Sequence, residues 1–134
     1  GKGHWMDRAD ADAVGWMAQY RRNPYPKEVV WRQEEVVREH FYWLSAPAEE
    51  LRHGSTVIAS IDGNSINIEH CDYSRLTISL NDNMVDLDKK VKLTINGKEV
   101  FNGKAKHDMK HLINSCTCFF DPQRLYTTGI EVEL

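Results

Sequence analysis

The sequence predicts a mostly β fold: a β-sandwich of immunoglobulin-like outline, with a helix at the N-terminus and one short inserted helix. Three observations predict it. From Val29 onward, short segments rich in β-branched and aromatic residues alternate apolar and polar positions. Two tight-turn signals, Asp62-Gly63-Asn64 and Asn96-Gly97, each separate a pair of such segments. Only two stretches carry apolar residues at helical spacing. With 134 residues and a 41% hydrophobic content, the chain can bury one core but not two.

The elements follow in order. Ala13, Trp16, Met17 and Tyr20 form one apolar stripe on a helix that Asp7 or Asp10 could cap. Arg21-Arg22 suits its last turn, and Asn23-Pro24-Tyr25-Pro26 ends it in an extended linker. Residues 1–26 are therefore helix and linker, and residues 27–134 the sandwich. Val29 to Gln33 reads as a strand, with His40 to Leu44 as its antiparallel neighbour. Thr56 to Ile61 and Ser65 to Glu69 form a hairpin, with Ile66 and Ile68 on one face. Arg75 to Leu80 turns Leu76, Ile78 and Leu80 inward. Val91 to Ile95 and Lys98 to Phe101 form a second hairpin, and Gly103 marks a bulge or bend. Asp108 caps a short helix with Met109, Leu112, Ile113 and Cys116 on one face, and Gly129 to Leu134 closes the sheet. The count is about eight strands.

Charge narrows the function. A net charge of −3, with Arg21-Arg22 as the one tight basic cluster, gives no footprint for nucleic acid. No apolar run reaches the roughly 18 residues that span a membrane. Cys71, Cys116 and Cys118 make no disulfide framework; at most one of the last two pairs with Cys71.

Several groups could carry chemistry. Gly3-His4-Trp5 sets a histidine on a loop before a helix, a position from which a general base can reach a serine, yet no Gly-x-Ser-x-Gly elbow occurs. His107 and His111 lie four apart, and Cys116 or Cys118 could complete a zinc set, but the intervening glutamate of a zincin is missing. Asp82, Asp86 and Asp88 lack the glycine and distal glutamate of a calcium loop. In His70-Cys71-Asp72, adjacent side chains point to opposite faces of a strand, which argues against a Cys–His dyad. No metal or cofactor is expected. Trp31, Phe41, Tyr42 and Trp43 could line a sugar-binding surface, although adjacent strand residues divide between faces and at least half must be core.

These residues also suggest a family. Gly3-His4-Trp5-Met6, Trp16-Met17, Arg22-Asn23-Pro24-Tyr25-Pro26, Val30-Trp31 and Phe41-Tyr42-Trp43-Leu44 resemble the junction and tail of bacterial, secreted α/β-hydrolase-fold proteins of esterase or peptidase type. Asn83-Met84-Val85-Asp86-Leu87, Val91, Thr94, Asn96-Gly97-Lys98 and Val100-Phe101-Asn102-Gly103 resemble their C-terminal β domain. The resemblance implies that the chain is cut from the C-terminal end of a larger, secreted or periplasmic protein. Residues to about Arg22 would be the last helix of the hydrolase domain, and His4 would match its catalytic histidine. The nucleophile and acid of that family are absent from these residues. The expected function is thus a non-catalytic accessory domain partnered by the upstream hydrolase domain. The alternative is a carbohydrate- or protein-binding module with Trp31, Tyr42 and Trp43 as its platform.

Overall fold

Alternation of apolar and polar side chains, written through most of the strands, closes two sheets face to face in the computed structural model, which describes residues 11–134. The first sheet holds β1 (Glu28–Arg32), β4 (Thr56–Asp62), β5 (Ser65–Cys71), β7 (Val91–Ile95) and β8 (Lys98–Gly103), in the order β1-β4-β5-β7-β8. The second holds β2 (His40–Phe41), β3 (Leu44–Ser45), β6 (Arg75–Leu80) and β9 (Thr128–Glu133), in the order β2-β3-β6-β9. The protein is mostly β: the described residues form a sandwich of nine strands with two α-helices, α1 (Ala13–Met17) and α2 (Met109–Phe119). Among the described residues no helix is long and apolar enough to cross a membrane.

The two hairpins form at the turn signals. Asn96 and Gly97 sit between the paired Ile95 and Lys98 with φ of 50° and 76°, the doubly positive geometry that favours Asn-Gly. Gly63 takes φ 54° between the paired Asp62 and Ser65. After β5 the chain crosses to the second sheet as β6, then returns as β7 and pairs with β5 in parallel. That crossing ties one layer to the other. Val57, Ile66, Ile68, Val91 and Leu93 of the first sheet meet Leu44, Leu76, Ile78 and Leu80 of the second, and all are buried. Each large aliphatic side chain so buried contributes roughly 1.5–3 kcal/mol.

Several expectations are corrected. Residues His40 to Leu44 do not pair with β1; that role falls to β4, with Val30 opposite Ile58. Instead β2 and β3 make a tight hairpin in the other sheet, reversing at Tyr42 with φ 51°. The turn turns Trp43 into the core, where it is fully buried and its indole N–H donates to Pro26 O at 2.8 Å. Gly103 ends β8, and the register shift lies at Leu93/Thr94. Helix α1 stops at Met17, so Arg22 lies beyond its last turn and pairs with Asp121. The proposed caps Asp7 and Asp10 lie outside the described residues. All three cysteines are free.

One polar staple fixes the entry to β6. Glu50, at the end of a 3₁₀ turn (Ala48–Glu50), accepts from Ser74 N and Oγ at 2.7 Å and from Arg75 Nε at 3.2 Å. These donors, the Ser74 hydroxyl foremost, hold its carboxyl at about 2 against the usual 4.5. A carboxylate with a depressed folded value gives its full stabilisation above pH 4.5 and loses it as the pH falls toward 2. Urea midpoints measured across that window should fall more steeply for the native chain than for Glu50→Gln. Parallel slopes would refute the staple.

Candidate functional site

The outer face of the second sheet carries the most developed surface feature among the described residues. Outward positions of three strands supply its floor: Ser45 on β3, Arg75, Thr77 and Ser79 on β6, and Gly129, Glu131 and Glu133 on β9. Helix α2 roofs one end of this face. Two adjoining hollows, of about 540 Å³ and about 230 Å³, share His40, Ser45, Thr77 and Glu131 and together form a trough beside the helix.

Local chemistry sets the helix there. Asp108 caps it, its carboxylate accepting from Lys110 N at 2.9 Å. Ser115 is buried, donates to Leu112 O at 2.9 Å and accepts from Tyr126 N at 3.1 Å. The His111 ring lies over Gly129, where a Cβ would stand 2.5 Å from Cε1. Only glycine leaves room for that ring. His111 Nε2 then reaches Ser79 Oγ at 3.1 Å. Burial pushes the His111 pKa down, with Asp108 and Glu131 pulling the other way. Burial likewise lowers His40, whose ring stands edge-on to Phe119 at 5.4 Å.

Ser79 and His111 bring a hydroxyl and an imidazole within hydrogen-bond reach, the first requirement of nucleophilic catalysis. The remaining requirements are not assembled around them. The Ser79 N–H is already bonded to Trp43 O at 2.8 Å and the residue lies in a regular ladder, so it offers no free backbone donors to an oxyanion. Among the described residues, no carboxylate is hydrogen-bonded to the His111 ring to fix its tautomer. The pair clamps the helix to the sheet.

The sequence candidates fall as follows. His4 lies outside the described residues. Trp31 and Trp43 are core residues, 2% and 0% exposed, and do not form a platform with Tyr42. Tyr42 does line the trough, but Arg124 lies 5.5 Å from its ring centroid and 3.9 Å from that of Phe119, occupying aromatic faces that a sugar would stack on. His107 precedes the helix and faces Asp82 at 3.8 Å, so it does not join His111. Asp86 pairs with Lys89 at 2.8 Å. His70 meets Asp72 at 3.0 Å, while burial raises the Cys71 thiol above its ordinary value. Among the described residues no group of three or more His, Cys, Asp or Glu could hold a metal ion.

Sequence reasoning missed the Ser79–His111 contact and the Arg124 cluster, both made across long separations. Gly129 beneath the helix was the one available signal. Comparison with protein-family models, with curated proteins and with solved structures gives no match. A fluorophosphonate probe should leave Ser79 unlabelled at neutral pH, by intact mass and peptide mapping. Labelling lost in His111→Ala would make the pair catalytic.

Proposed function

We propose that this chain is the C-terminal accessory region of a larger α/β-hydrolase-type protein, secreted or periplasmic, and that it supports or borders an active site built elsewhere in that protein. One observation carries the proposal. Helix α1 buries none of its residues, while Val14, Trp16 and Met17 on it and Tyr20 just after it are each more than half exposed. A helix with its apolar stripe left in water calls for a further surface to cover it. The segment that follows is moored: Arg22 pairs with Asp121, the Tyr25 hydroxyl donates to Leu125 O at 3.3 Å, and Pro26 O receives the Trp43 indole. A body attached ahead of α1 would thus be held at a defined end of the sandwich. The motifs quoted from Gly3 to Gly103 support the same assignment.

A carbohydrate- or protein-binding module is the second reading, favoured by the open polar floor of the trough at Ser45, Thr77 and Glu131. In the trough, Arg124 lies over the Tyr42 and Phe119 rings, which weighs against sugar stacking there.

The test is the full-length parent with and without residues 27–134. Removal should lower its thermal midpoint by at least a few degrees, since 1 kcal/mol moves a domain of roughly 150–250 residues by about 2–4 °C, and should reduce its ester hydrolysis. If neither changes, the accessory role is wrong.

A further inference from the structure

Among the described residues, β1 and β8 end the first sheet, and β9 and the two-residue β2 end the second. An edge strand offers a row of unpaired N–H and C=O groups, a template for another strand. These edges are not alike. β9 carries Glu131 and Glu133 on one face, so two copies paired about its middle would oppose like charges. β8 is interrupted where its register against β7 shifts, which leaves Val100 without a partner residue. Irregularities of that kind turn an edge away from pairing.

β1 is different, because it is complementary to itself. Lys27 O accepts from Ile61 N at 2.8 Å, and Gln33 N donates to Ser55 O at 2.9 Å. In an antiparallel ladder alternate residues face the same neighbour, so Val29 and Trp31 also turn their backbone groups to β4. Glu28, Val30 and Arg32 therefore aim theirs at the open edge, and their side chains are the exposed set of the strand. Val30 is 64% exposed, a β-branched residue in water. It stands midway between a carboxylate two residues before it and a guanidinium two residues after.

We infer that β1 pairs antiparallel with β1 of a second copy, about a two-fold axis at Val30, so that the two first sheets run on as one. In this register Glu28 lies opposite the partner's Arg32, Arg32 opposite the partner's Glu28, and Val30 opposite the partner's Val30. All three positions exchange backbone hydrogen bonds across the axis. Ile58 lies beside Val30 on β4, so an apolar row crosses the junction from Ile58 and Val30 to the partner's Val30 and the partner's Ile58. Arg32 Nε already bonds Glu34 Oε1 at 3.2 Å, but its side chain is 62% exposed and its guanidinium has further N–H groups to give. The contact uses one patch twice and closes at two copies. A five-residue strand pair falls short of the roughly 1,200 Å² of a stable interface, so the dimer forms as the protein is concentrated. It requires nothing of the accessory role.

Sedimentation of the 134-residue chain over a dilution series reaching about 1 mM tests this. The mass should rise toward twice that of one chain and no further. Val30→Pro removes an N–H that β4 does not use, so it should abolish the rise while keeping the native thermal midpoint. Glu28→Arg alone, or Arg32→Glu alone, should weaken the dimer about fivefold to tenfold, because symmetry repeats each change at two pairs. An equimolar mixture of those two variants opposes unlike charges at both places and should restore it. A mass that stays at one chain, or climbs past two, would overturn the inference. So would a dimer that survives Val30→Pro, or one that neither charge exchange weakens. Amide exchange at Glu28, Val30 and Arg32 should slow only as the dimer forms. Protection that persists on dilution would assign the edge to the chain's own residues and overturn the inference as well.

Discussion

One corner of the sandwich joins everything else. The Trp43 side chain drops from the β2–β3 turn into the core, and its N–H donates to Pro26 O, fixing the entering chain to the second sheet. Arg124 donates to Tyr42 O at 2.6 Å on the same turn, and Asn81 Nδ2 donates to Leu125 O at 2.6 Å. Tyr25 packs edge-on to Tyr126 at 5.9 Å and its hydroxyl accepts from Leu125 N at 3.2 Å. Entry segment, turn and the loop before β9 thus satisfy one another's polar groups in a place partly shut off from water. An unmade hydrogen bond on a buried group costs about 1–3 kcal/mol, so the corner forms as a unit or not at all.

The roof of the trough follows from that corner. Tyr126 is held by it and in turn bonds Ser115 of α2, while two residues further on Thr128 donates to Lys106 O at 2.6 Å. The helix therefore settles where β9 and the incoming loop are already fixed, and Gly129 lets it approach closely enough for His111 to bond Ser79. The same placement turns Met109, Ile113 and Phe120 outward. Position and exposure have a common cause.

How legible this was in the sequence depends on the range of the contacts concerned. Both hairpins were legible because Gly63, Asn96 and Gly97 need positive φ that few other residues adopt. The inward set Ile66, Ile68, Leu76, Ile78 and Leu80 was legible from its period of two. The run from His40 to Leu44 was not. Its aromatic composition suits a strand, yet the long-range bond from Trp43 to Pro26 and the pairing of Leu44 with Ile78 fold it into a turn. The face of α2 was half legible: spacing put Met109, Leu112, Ile113 and Cys116 on one face, yet of these Leu112 is half-buried beside Ser115 while Met109, Ile113 and Cys116 stay exposed. Serine at 115 is buried only because Tyr126 and Leu112 satisfy its hydroxyl. The contact of His111 with Ser79 spans 32 residues and left no local trace.

The central claim is that the corner around Trp43 belongs to the cooperative core and is no surface ornament. Amide and indole hydrogen exchange by NMR tests it directly. The Trp43 indole N–H and the Leu125 amide should exchange only through global unfolding, with the same protection as the ladder amides of β5 and β6. Exchange of these two by easy local opening, while the ladder amides stay protected, would contradict the account.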